Sequence, residues 1–114
     1  MTKAQIDNKR QMIITTCRNQ INQMHKILKL FGEIPNAASN GDINILVNDI
    51  LLRIGSSERD IKVFEMKPDD YIERYNADSY INFVQGKIDF FKSRQEFYAF
   101  NASLRQKPND DFTY

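Results

Sequence analysis

The chain has 114 residues, 41% of them hydrophobic and 27% charged, with a formal net charge of +1. That length sets one domain with a small core, and the composition excludes a disordered chain and a polycation that would coat nucleic acid. A lone cysteine, Cys17, excludes an intrachain disulfide, and four Gly with three Pro leave few breaks. No run in the sequence has the length or apolarity of a signal peptide or a membrane span, so a cytoplasmic location is expected.

The first element is a helix over residues 3–32. Ile6, Ile13, Ile14, Cys17, Ile21, Met24, Ile27, Leu28 and Phe31 follow three-four spacing and define its buried stripe. Cys17 lies in that stripe and reads as a small hydrophobe. Lys26 and Lys29 suit the negative end of the helix, and Gly32 followed by Ile34-Pro35 supplies the stop. Residues 35–42 form a loop with a turn at Asn40-Gly41.

A second helix is expected over residues 42–54, with Asp42 as its cap. Ile43, Leu46, Val47, Ile50, Leu51 and Ile54 form its core face, while Ile45 and Leu52 fall elsewhere on the wheel. A helix so apolar is either central or half of an oligomer interface. Gly55-Ser56-Ser57 ends it, and Ser57 caps a short third helix over residues 58–66. A strand over residues 61–64 competes with that assignment. Pro68 opens a fourth short helix over residues 69–75.

The last helix runs over residues 79–106. It carries two apolar rows: Phe83, Phe90, Phe97 and Leu104, and beside them Ile81, Val84, Ile88, Phe91, Tyr98 and Ala102. Gly86 lies inside it, at a cost of about 1 kcal/mol relative to Ala, and marks a close helix crossing. Residues 107–114 form a flexible tail whose Asp110, Asp111, Phe112 and Tyr114 suit docking on a partner less well than plain disorder.

These elements predict an all-α protein. It is a compact helical bundle over residues 1–106 with long N- and C-terminal helices packed antiparallel and shorter helices between. Charge is uneven along it. Residues 1–32 hold six basic side chains and one acid, whereas residues 33–79 hold five basic and ten acidic ones. Complementarity within the fold accounts for this more simply than a nucleic-acid-facing helix.

Arg18, Asn19 and His25 are the candidates for chemistry. Arg18 and His25 are seven apart, on one face two turns along, where a cation and an imidazole can stabilise a phosphate and move a proton. The string Arg18-Asn19-Gln20-Ile21-Asn22-Gln23-Met24-His25 resembles the Arg-polar-spacer-His motif of HEPN-type ribonucleases, helical bundles that usually act as dimers. The resemblance implies RNA cleavage by Arg18 and His25. It covers this segment alone, and it lies in the first helix where the family carries its motif in later ones. With one His and one Cys, no metal site is expected. Phosphate-loop glycines and a nucleophile elbow are missing too, so no cofactor is expected.

The second apolar row carries the functional expectation. One row anchors a helix, and two exceed what so short a chain covers alone. Phe83, Phe90, Phe97 and Leu104, with Lys87 and Arg94 between the rows, are read as a partner-binding face. Aromatics and Arg favour a protein partner over nucleic acid. A small non-enzymatic interaction module is expected, of adaptor, inhibitor, immunity or chaperone type, that self-associates as a homodimer or larger oligomer. Abundant Ile, Asn and Phe, encoded by AT-rich codons, fit a phage or mobile-element source.

Overall fold

Thr2 heads the first helix with a reciprocal cap. The Gln5 amide donates to its hydroxyl at 3.2 Å, and its own amide donates to Gln5 Oε1 at 2.8 Å. In the computed structural model, which describes residues 1–106, that helix is α1 (Lys3–Gly32). A 3₁₀ turn (Ala37–Ser39), α2 (Gly41–Met66), α3 (Asp69–Arg74) and α4 (Ala77–Gln106) follow. The described residues form a helical bundle, and no strand occurs among them. The expected tail, residues 107–114, lies outside the described residues.

α1 buries the stripe read from its spacing, from Ile6 through Cys17 to Phe31, with Leu28 packed at its edge. The helix ends at Gly32, with Glu33 and not Gly32 as its cap. The reversal falls instead at Asn36, which takes the left-handed conformation (φ 60°) that a short polar side chain tolerates. Asn40, not Asp42, caps α2, its Oδ1 accepting the Ile43 amide at 3.0 Å.

α2 is one helix where two were expected. Gly55-Ser56-Ser57 passes through without a break, because the buried stripe Ile50, Ile54, Ser57, Ile61, Phe64 keeps its spacing across them. Burial of that stripe outweighs the weak helix propensity of one Gly and two Ser. Ser57 is therefore a buried interior residue and not a cap.

This continuity also sets the direction of the last helix. α2 spans about 39 Å and returns the chain to the level at which α1 began, and α3 is long enough only to turn it. α4 then runs parallel to α1, not antiparallel as expected. Lys9 and Met12 flank Ala77 and Asp78, Gln20 Nε2 donates to the Ile81 carbonyl at 3.0 Å, and Ile34 borders Tyr98 and Ala102. α1 is the central element, touching every other one, and the bundle is a rod 73 Å long and 21 Å wide.

The base of the rod is tied by cations of α1. Arg10 donates to the Phe64 carbonyl, to the Lys67 carbonyl at 2.6 Å, and to Asp69 Oδ1 at 2.8 Å. Lys3 Nζ reaches Asp69 Oδ2 at 2.7 Å, and Lys9 donates to the Glu73 and Tyr75 carbonyls at 3.0 and 2.9 Å. Part of the basic charge on α1 is thus spent on the C-terminal ends of α2 and α3, where the helix dipole is negative. Lys3, and then Arg10, hold the Asp69 carboxyl below its ordinary value.

Arg10→Met is expected to lower stability by about 1–3 kcal/mol, since two carbonyls and a carboxylate lose a charged donor; denaturant titration measures it. Asp69→Asn is expected to be less stable than wild type at neutral pH. Because the folded-state pKa is depressed, that difference is present above the ordinary carboxylate value. It closes as pH falls below about 4 and Asp69 itself becomes neutral. A difference that persists in acid would contradict this assignment.

Candidate functional site

α4 has apolar side chains on opposite sides. Val84, Ile88, Phe91 and Ala102 are buried against α1 and α2, with Ile81 and Tyr98 packed at the margin. Phe83, Phe90, Phe97 and Leu104 point away from the core. Together with Phe100 they are 47–62% exposed. The sequence left open which row faces inward, since both have helical spacing, and the structure assigns the second.

Cations overlie the outer row. Lys87 Nζ lies 5.4 Å from the Phe83 ring centre, and the Arg94 guanidinium lies 4.5 Å from Phe97 and 5.1 Å from Tyr98. Arg94 Nη2 also donates to the Tyr98 hydroxyl at 3.3 Å. These contacts hold the long side chains flat over the rings and keep their charge in water.

α2 extends the surface. Leu52, 70% exposed, and Ile45 stand on its outer side. α2 and α4 both lean on α1 and meet each other only sparingly. Between them runs an open groove of about 420 Å³, lined by Asp49, Leu52, Arg53, Ser56, Phe83, Lys87, Phe90 and Phe91.

A polar cluster forms the end of this groove. Tyr80 donates a short hydrogen bond to Asp60 Oδ2, which also accepts from Arg53 Nη2 at 3.4 Å. Burial, then the bond to Asp60, raises the Tyr80 phenol well above its ordinary value and keeps it a neutral donor. Arg53 Nε and Ser57 Oγ are buried without a hydrogen-bond partner.

Several of these residues escape a reading by sequence. Phe100 follows Phe97 by three and continues the outer row, outside the seven-residue repeat. Asp60 and Arg53 are seven apart on one helix, a pairing hidden by the expected break at residues 55–57. Gln20 is buried and ties α1 to α4. Gly86 marks no crossing within the protein, since a Cβ added there meets nothing within 4 Å.

The candidates for chemistry lie away from this groove. Arg18, Asn19 and His25 are exposed on α1, and none lines the groove beside α4. Among the described residues no group of three His, Cys, Asp or Glu side chains is placed to hold a metal, and no helix is long and apolar enough to cross a membrane. Cys17 is buried, and desolvation followed by the nearby Asp60 pushes its thiol up to about 11.

Comparison with known proteins finds no matching family model, no matching curated relative and no matching solved structure.

The Cys17 assignment predicts a thiol silent in the native state. Labelling by an aromatic disulfide reagent at neutral pH is expected to proceed only as fast as the protein opens, and to become immediate in denaturant. Rapid stoichiometric labelling of the folded chain would contradict a buried, protonated thiol.

Proposed function

We propose that this protein is a non-enzymatic protein–protein interaction module of adaptor, inhibitor, immunity or chaperone type. Its docking surface is the outer face of α4: Phe83, Phe90, Phe97 and Leu104, with Lys87 and Arg94 above the rings. The observation that carries this reading is the outer row itself. Four regularly spaced large side chains stand half-exposed on a helix whose opposite side already anchors it to the core. Scattered apolar residues on a surface are ordinary, whereas a contiguous row rimmed by polar groups is the usual mark of an interface. Aromatics and Arg are also the side chains most often found at binding hot spots. Leu52 and Ile45 widen the row into a shallow trough that suits a helix or an apolar segment of a partner.

The test is retention of proteins from a lysate of the native host on immobilised wild type and on Phe90→Asp/Phe97→Asp. Loss of two central aromatics is expected to weaken capture more than about a hundredfold, at about 2 kcal/mol or more per hot-spot residue. Circular dichroism is expected to be unchanged, because both rings lie outside the core. Equal capture by both proteins would remove this face from consideration.

A further inference from the structure

The outer side of α4 has a finer pattern than a row of rings. From Phe83 it reads as a heptad, with Phe83, Phe90, Phe97 and Leu104 at one seam position and Gly86, Ser93 and Phe100 three residues after the first three. An apolar seven-residue repeat at one seam position, with small residues at the other, suits a helix that meets another helix along its length. Gly86 and Ser93 leave the seam low between bulky neighbours. Gly86 weakens the helix, and within the protein nothing approaches it. A second helix lying along the seam would use the space its missing side chain leaves.

The charges flanking the seam say which helix that is. Lys87 and Arg94 line one flank, and Asp89 and Glu96 line the other. A foreign helix would have to bring both complementary flanks, and this chain already carries both. We infer that the seam pairs with the α4 seam of a second copy of this chain, parallel and in register. This rests on the reading of α4 as a docking surface and names its occupant.

Orientation follows from charge. In a parallel pair, each Asp89 lies five residues before the second copy's Arg94, the usual pairing across a heptad seam, and symmetry makes two such pairs. In an antiparallel pair Phe97 would face the second copy's Gly86, a good fit of large to small. Asp89 would then lie beside the second copy's Glu96, however, and Lys87 beside its Arg94. Those are like charges on both flanks.

Size is adequate. The four seam Phe residues expose roughly 400 Å² at about 200 Å² of surface each. The seam runs about 32 Å, or three heptads. Three heptads are few for isolated helices, but α4 is already ordered by α1, so pairing does not have to fold it.

The experiment is light scattering on the purified full chain, combined with charge reversal and cross-linking. Wild type is expected to be a dimer that dissociates on dilution. Asp89→Arg is expected to weaken it about tenfold, as two attractive flank pairs become repulsive, and Asp89→Arg/Arg94→Asp is expected to restore it. In a Cys17→Ala background, Ser93→Cys is expected to form a disulfide-linked dimer on mild oxidation, because equivalent residues face each other only in the parallel pair. A monomer at every concentration overturns the inference. If host capture is still lost in Phe90→Asp/Phe97→Asp, the interaction reading survives. Tightening by Asp89→Arg, or a dimer in which Ser93→Cys does not cross-link, overturns the parallel arrangement. A dimer indifferent to Phe90→Asp/Phe97→Asp overturns the use of this face for self-association.

Discussion

The arrangement of the bundle depends on how Arg10 holds the place where α2 ends. Its guanidinium bonds two carbonyls at that end and the first acid of α3. α3 has six residues and cannot stand without such support. Ile72, fully buried, pins its apolar side while Lys3 and Arg10 hold Asp69 on its polar side. With α3 fixed against α1, the start of α4 and its direction are fixed as well. Which row of α4 turns inward is a separate matter of rotation about its axis, fixed by the burial of Val84, Ile88 and Phe91 and by the bond from Gln20 to the Ile81 carbonyl.

Within the rod, a few polar groups add alignment to what burial alone leaves loose. An apolar stripe on α1 can slide by a turn against an apolar stripe on α4 at small cost. Gln20 cannot, since its buried amide reaches one carbonyl, that of Ile81, and the side chain of Gln85. Asp60, bonded to Tyr80 and Arg53, does the same between α2 and α4. Such groups gain little net stability over apolar ones, but a slipped register would leave each of them unsatisfied. Their value here lies in selecting one packing.

What the sequence made legible follows the same division. The stripe of α1 was readable residue by residue, because an amphipathic helix with one buried face writes that face into its spacing. The two rows of α4 were readable as rows. Which of them is buried was not, since both have helical spacing; nor was the direction of the helix, which depends on the length of α2. That length was misjudged at Gly55-Ser56-Ser57, where local propensity points to a stop and the stripe from Ile54 to Ile61 overrides it. The antiparallel expectation failed for this one reason. Arg18 and His25 share a helix face, as their spacing says, but helical spacing carries no information about a cleft. Phe100 stands outside the seven-residue period of the outer row and joins it by a three-residue step from Phe97.

The bonds from Gln20 to Ile81 span 61 positions of the chain, whereas α1 and α2 are joined by a turn at Asn36. Closing a short loop costs less entropy than closing a long one, and contacts near in sequence form sooner. The α1–α2 hairpin is therefore the natural first unit to assemble, with α4 docking onto it afterwards. Partial unfolding in the reverse order would release α4 first among the long helices. Once released, it bares its inner row as well as its outer one, and it uncovers the side of α1 that it had sheltered. A chain opened in this way would present apolar surface that the native fold covers, on helices still ordered, and would carry the hazard of aggregation.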